Sequence, residues 1–184
     1  TGIDEEQVDL DLLHRAKLWV KMGDYANAIS NLEMLRKAHP QNEQLKIYYW
    51  ELLMQTQNFE KLAMFADPIS LRFLSTNRLQ ELQPFLQYMM QSRPNGFNEL
   101  VTKLKLAEAF LNAQQPKWAY GLLKTAHQQF EFDPKRLDAL MMLTEALQQL
   151  KQNVQAVKVL KFALTIADRH QKDVIQSRIA TLES

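Results

Sequence analysis

The side chains best suited to acid–base or metal chemistry in this chain are its four histidines, and they stand apart. His14, His39, His127 and His170 fall on four different predicted helices or helix ends. A general base needs its partner within hydrogen-bond reach, and a metal needs three or four converging ligands. His170 and Asp173 are three residues apart and share a helix face, but two ligands do not make a metal site. An exposed helix-end histidine is the simpler reading. Glu131 and Asp133 in "FEFDPK" offer paired carboxylates, yet Asp133 is better placed to cap a helix beginning at Pro134. No HExxH, Gly-rich phosphate loop or Gly-x-Ser-x-Gly elbow occurs. Cysteine is absent, which removes disulfides and thiolate sites. The expectation is therefore no catalytic residue, no metal and no cofactor.

The elements that would carry any other function are helices. The 184 residues contain only 4 Gly and 6 Pro, and Leu, Ala, Gln, Lys, Glu and Met dominate. Lys plus Arg is 22 against 21 Asp plus Glu, a formal charge of +1. Such a balance gives no long-range field to gather nucleic acid or anionic lipid, so neither is an expected partner. No apolar run reaches spanning length, and no membrane insertion by this segment is expected. The opening "TGIDEEQ" has no initiator Met and no basic-then-apolar leader. It reads as an excised soluble part of a longer protein, with cytoplasmic placement expected and the periplasm as the alternative.

One spaced set of residues recurs. Leu12, Ala16 and Trp19 precede a break at Gly23, Asp24 and Tyr25, and Ala28, Leu32 and Leu35 follow, ending at Pro40. Gly23 can end a helix with positive φ, and Asp24 can cap the next. Ala16 and Ala28 let two antiparallel helices approach closely, with Trp19 and Tyr25 filling the space beside them. The set returns with Leu53, Asn58, Phe59 and Leu62, around Ala119 with Leu106, Ala107, Phe110, Leu123 and Ala126, and around Ala156 with Leu140, Leu143, Leu147, Leu160 and Ala163.

On these residues the chain resembles the tetratricopeptide repeat family, in a diverged bacterial style, over about 9–76 and 100–170. The resemblance implies an all-α fold, a right-handed superhelical array of antiparallel helix pairs. The array is expected to be interrupted near 67–96, because Leu62 and Ala119 are 57 residues apart. Helices are predicted near 4–22, 25–38, 42–56, 58–66, 97–113, 116–130, 134–149, 152–168 and 171–183. Pro84 should kink or divide the middle segment, and "RPNG" at 93–96 should turn between two blocks. The expected organisation is one domain, 1–184. Its lobe 1–92 holds two repeats plus irregular helices, and its lobe 97–184 holds two repeats plus a capping helix with Val174, Ile175, Ile179 and Leu182 inward.

The resemblance also implies a concave groove lined by the first helix of each pair. Carried over by position, it shows Leu13, His14, Lys17 and Lys21, then Ile47, Tyr48, Glu51 and Gln55. Next come Leu104, Lys105, Glu108 and Asn112, then Met141, Met142, Glu145 and Gln149. The family's clamp for chaperone tails keeps its cation only at Lys105, which disfavours that ligand. A mixed groove with adaptable Met side chains suits an amphipathic helix or a partly apolar peptide, although packing between neighbouring repeats would explain several of the same residues.

A second patch lies in the interruption: Phe73, Leu74, Phe85, Leu86, Tyr88, Met89 and Met90. It reads either as core closing the two lobes or as a self-association surface through Phe73, Phe85, Tyr88 and Met89 that would make a homodimer. Lys117, Lys124, Lys135 and Arg136 read as solvated faces, since acidic residues are interleaved. The leading expectation is a non-catalytic protein–protein interaction scaffold that takes a partner peptide or helix. The alternative is a regulatory or dimerisation domain of a larger signalling, envelope-associated or multidomain enzyme protein.

Overall fold

A helix that must reverse direction within three residues needs one residue in the left-handed region, and this chain supplies it repeatedly. The computed structural model describes residues 2–184, with side chains described for 10, 11 and 13–184. Leu12 therefore contributes a landmark whose side chain lies outside the described residues. Two compact units divide the chain, one up to Phe65 and one spanning Ala66–Ser184. The first holds α1 (Gly2–Lys21), α2 (Tyr25–Ala38), α3 (Glu43–Gln55) and α4 (Phe59–Leu62), closed by a 3-10 turn, Ala63–Phe65. The second holds α5 (Ala66–Ser75), α6 (Leu79–Ser92), α7 (Leu100–Asn112), α8 (Pro116–Leu123) and α9 (Ala126–Gln129). It continues with α10 (Arg136–Gln149), α11 (Asn153–Ile166) and α12 (Arg169–Glu183). Among the described residues there is no strand.

Positive φ occurs at Gly23, Gln57, Asn77, Gln114 and Lys151, between 54° and 76°. At each, the residue's own N–H bonds three residues back, and the next N–H bonds five back: Asp24 to Trp19, Asn58 to Leu53, Arg78 to Phe73, Gln115 to Phe110 and Gln152 to Leu147. This is the Schellman pairing, which satisfies carbonyls that a helix end leaves orphaned. Five hairpins thus share one turn.

Counting from the turn aligns the interiors. The fifth residue onward is Ala28, Leu62, Leu82, Ala119 and Ala156, and every one is fully buried. Seven residues back lie Ala16, Trp50, Ser70, Ala107 and Thr144, all buried. Four back lie Trp19, half-buried, and Leu53, Phe73, Phe110 and Leu147, buried. Where the pair is Ala with Ala, as at Ala107 and Ala119, the two backbones can meet. Tyr25 departs from expectation: it is exposed and does not fill the space beside Ala16 and Ala28. Packing follows a repeat logic within each unit. First helices touch the next first helix (α5 with α7, α7 with α10), and second helices bridge forward (α2 with α3, α8 with α10, α11 with α12).

The expected interruption is corrected by these turns. Residues 66–92 form a hairpin with the same geometry, 37 residues before the one at Gln114. What is shortened is the second helix of the preceding pair, α4, so the left-handed residues 57 and 77 lie only 20 apart. The division between lobes also moves. The units part after Phe65, not at 93–96, because α5 packs against α7. Asp67 on α5 accepts from the N–H groups of Asn98 (2.8 Å) and Glu99 (3.2 Å) at the entry to α7, and Phe97 is buried beside them.

Smaller expectations also shift. Pro84 neither divides nor ends α6, since it and Gln80, whose carbonyl it leaves unbonded, face solvent. The segment 116–130 is two helices, α8 and α9, and the second brings Gln129 to the 95–97 turn. Asp133 does not start a helix at Pro134. Its carboxylate accepts from the Lys135 N–H at 2.8 Å, and α10 begins at Arg136. The capping helix α12 starts on a reciprocal Asp168–Gln171 box and buries Ile175 and Ile179, whereas Val174 faces water.

The turn geometry makes a direct prediction. Gln114→Gly removes a Cβ from a left-handed backbone and should raise stability by about 0.5–1 kcal/mol. The neighbouring Gln115→Gly, at negative φ, should lower it. Urea unfolding followed by circular dichroism separates the two, and equal destabilisation by both would contradict the shared turn.

Candidate partner-binding surface

The surface begins with α3, because its register is fixed from behind. Tyr49 is buried, and its hydroxyl donates to Glu33 Oε1 at 2.9 Å while Lys61 Nζ donates to the same oxygen. Burial opposes charge on Glu33, yet these two hydrogen bonds hold its carboxyl below the ordinary range. The Arg36 guanidinium lies 5.1 Å from the Tyr49 ring and 4.8 Å from that of Phe65. With Tyr49 anchored inward, Tyr48 and Glu51 turn toward the other side of the helix. Lys17 Nζ on α1 sits 5.6 Å from the centre of the Tyr48 ring, so the first two pairs do bring groove positions together. His14, Lys17, Lys21 and Gln55 are exposed; Leu13, Ile47, Tyr48 and Glu51 are half-buried.

In the second unit the corresponding face of α7 and α10 is more polar than expected. Lys105, Glu108, Asn112, Glu145 and Gln149 are exposed, and a depression lined by Leu111, Asn112, Gln114, Pro116 and Gln149 joins the ends of the two helices. Leu104 is a correction: it is buried, because α7 is covered by α5 on one side and α10 on the other. Met142 is half-buried, and Met141 packs on the apolar cluster formed by α10, α11 and α12. The unrecognised α5 hairpin supplies its own first-helix face, with Pro68 exposed and Leu71 and Leu74 half-buried. The 37-residue step from Phe73 to Phe110 to Leu147 is the signal that would have found it.

The self-association patch is corrected as well. Phe73 (1% exposed), Phe85 (0%) and Met89 (1%) are interior residues, and Tyr88 is half-buried. Phe73, Phe85 and Met89 occupy turn-counted core positions shared with Phe110, Leu122 and Ala126, so these three hold hairpins together and cannot meet a second copy. The histidines remain separate. His14 and His170 are exposed, and His39 is half-buried. His127 lies 5.2 Å from the Phe162 ring, and burial together with Arg136 pushes its pKa down. Among the described residues no cluster of three potential metal ligands forms.

Sequence reasoning missed Lys103. It stands on α7 at the turn-counted position that Ala66 and Leu140 hold in neighbouring pairs, and it is 2% exposed. Its Nζ donates to Gln129 Oε1 (2.8 Å) and to the Pro94 carbonyl (3.2 Å), between the rings of Phe97 (5.9 Å) and Phe130 (5.8 Å). Gln129 in turn donates to the carbonyls of Asn95 (3.1 Å) and Phe97 (2.7 Å). Burial lowers the ammonium's pKa to about 8, against the opposing field of Asp67. A charge at an apolar repeat position was the available clue, visible only once the turns were aligned.

Comparison with known families gives one match. A tetratricopeptide repeat model covers residues 12–42, the latter part of α1, its turn, α2 and the four residues after it. No curated protein matches the chain. No helix among the described residues is long and apolar enough to cross a membrane.

Lys103 also sets a pH dependence. Its folded pKa of about 8 lies below the ordinary 10.5, so the unfolded chain keeps a proton that the folded chain sheds within that window. Stability should therefore rise with pH from 8 toward 10.5, by about 2 kcal/mol between pH 7.5 and 9.5 relative to Lys103→Met. Urea unfolding of both proteins at each pH checks this. A pH-independent difference between them would refute it.

Proposed function

We propose that this chain, whose first hairpin matches a tetratricopeptide repeat model, is a non-catalytic interaction module that takes a protein partner on the first-helix faces of its pairs. Repeats of this family generally mediate protein–protein interaction. The observation that carries the reading here is the pairing of Lys17 with the Tyr48 ring on adjacent first helices. There, a cation and an aromatic stand half-open to solvent, with no interior role of their own. Tyr side chains offer contact area with few rotatable bonds and a hydroxyl that can donate to a partner. Met142 and Leu74 add adaptable apolar contacts on the second unit.

The ligand that fits best is a short amphipathic segment. On the first unit its apolar side chains would meet Ile47 and Tyr48 and its polar ones Lys17 and Glu51; on the second unit, taken by itself, the corresponding residues are Leu71 and Met142 with Lys105, Glu108 and Glu145. Both signs of charge are present on that face, so register rather than net attraction would set specificity. A regulatory role within a longer signalling or envelope-associated protein is compatible with the same surface, but not through Phe73, Phe85 and Met89.

A peptide library displayed on phage and panned against the immobilised chain tests the assignment. Selected peptides should bind Tyr48→Ala plus Met142→Ala at least tenfold more weakly, with the helical circular dichroism unchanged. Binding to Val174→Ser, on the outer face of α12, should be unaffected. Peptides that ignore the double variant would remove the groove assignment.

A further inference from the structure

The Lys103 ammonium is enclosed without a counter-ion in contact. Its acceptors are two amide carbonyls, and among the described ion pairs none reaches it within 4.0 Å. Asp67 acts on it only through its field, its carboxylate oxygens accepting from the N–H groups of Asn98 and Glu99 instead. These two hydrogen bonds leave the third N–H of the ammonium without a protein acceptor among the described residues. An ammonium in low dielectric is costly unless paired.

A narrow crevice between α6, the turn after it, α7 and the end of α8 reaches this lysine. Arg93, Lys103, Lys124 and Thr125 supply its polar lining, Met90 and Phe97 much of the rest, and no carboxylate lines it. Lys103 is buried while Arg93 and Lys124 are exposed, which puts one cation at the inner end and two toward the mouth. Its inner volume is ≈ 20 Å³. That accommodates one particle the size of a water molecule or a chloride ion. The wall is tight at Gly121, where an added Cβ would fall 2.5 Å from Met90 Sδ, so a bulky ligand is excluded.

We propose that this crevice binds one small monovalent anion, chloride or a single carboxylate group, on Lys103, with Arg93 and Lys124 steering it in. The site is independent of the first-helix groove. The anion completes the ammonium's hydrogen bonds and ties the 93–97 turn to α7 and α8.

Thermal unfolding at pH 7 tests this, with sodium methanesulfonate, a bulkier anion without a carboxylate, replaced stepwise by sodium chloride or sodium formate at constant ionic strength. A saturable rise in Tm of about 2–5 °C is expected. It should be lost in Lys103→Met, and chloride-35 line broadening should vanish with it. Formate outperforming chloride would identify a carboxylate as the natural occupant. Should Lys103→Met not fold, the surface variant Arg93→Gln plus Lys124→Gln carries the test, with a half-saturating concentration several times higher. A shift that is linear in salt, persists in Lys103→Met or ignores the surface variant would overturn the site, leaving the crevice to water.

Discussion

Five helices in this chain stop in the same way, and the rest of the structure depends on that stop. A residue twists into the left-handed region, the next N–H reaches back across five residues, and the chain reverses within three positions. Because the reversal is so short, the two helices must lie side by side. The residues five after and seven before the turn then face each other at the closest approach. All ten residues at those positions are buried, whatever their type. Side-chain size varies between pairs at these positions: Ala16 and Ala28, Ser70 and Leu82, Thr144 and Ala156.

The turn is also indifferent to composition, which explains how a repeat can hide. Gly23 and, more weakly, Asn77 advertise the left-handed conformation; Gln57, Gln114 and Lys151 adopt it against the steric preference of a Cβ. Packing of the helices on either side must offset that cost. Once α4 shrinks to a single turn, the period collapses locally from 34 to 20 residues, and a reader counting from the small residues sees a gap where a full hairpin stands.

Interior polar groups then distinguish one pair from the next. The α5–α7 junction is held by Asp67 on backbone donors, and the turn before α7 by Gln129 and Lys103, a chain of contacts reaching across more than thirty residues of sequence. An apolar residue at 103 would pack as Leu140 does. The lysine instead makes this stretch sensitive to protons and, on the reading above, to small anions. In the first unit, the Glu33–Tyr49–Lys61 group has a comparable task, orienting α3 so that Tyr48 is presented outward beside Lys17.

Helix content, the hairpin at 12–42, the small residues of the fourth and fifth pairs and the capping helix were all determined by the sequence alone, because propensity, periodicity and Cβ volume are local properties. The outward face of the first helices was partly legible too, since position within a repeat assigns a helix face. Only the tertiary structure decided that 66–92 is a hairpin, that Leu104, Phe73, Phe85 and Met89 are interior, and that Lys103 has a place in the core. The reason is physical. A single Leu, Phe or Lys is compatible with many environments, and whether a neighbouring helix covers it depends on contacts between elements far apart in the chain.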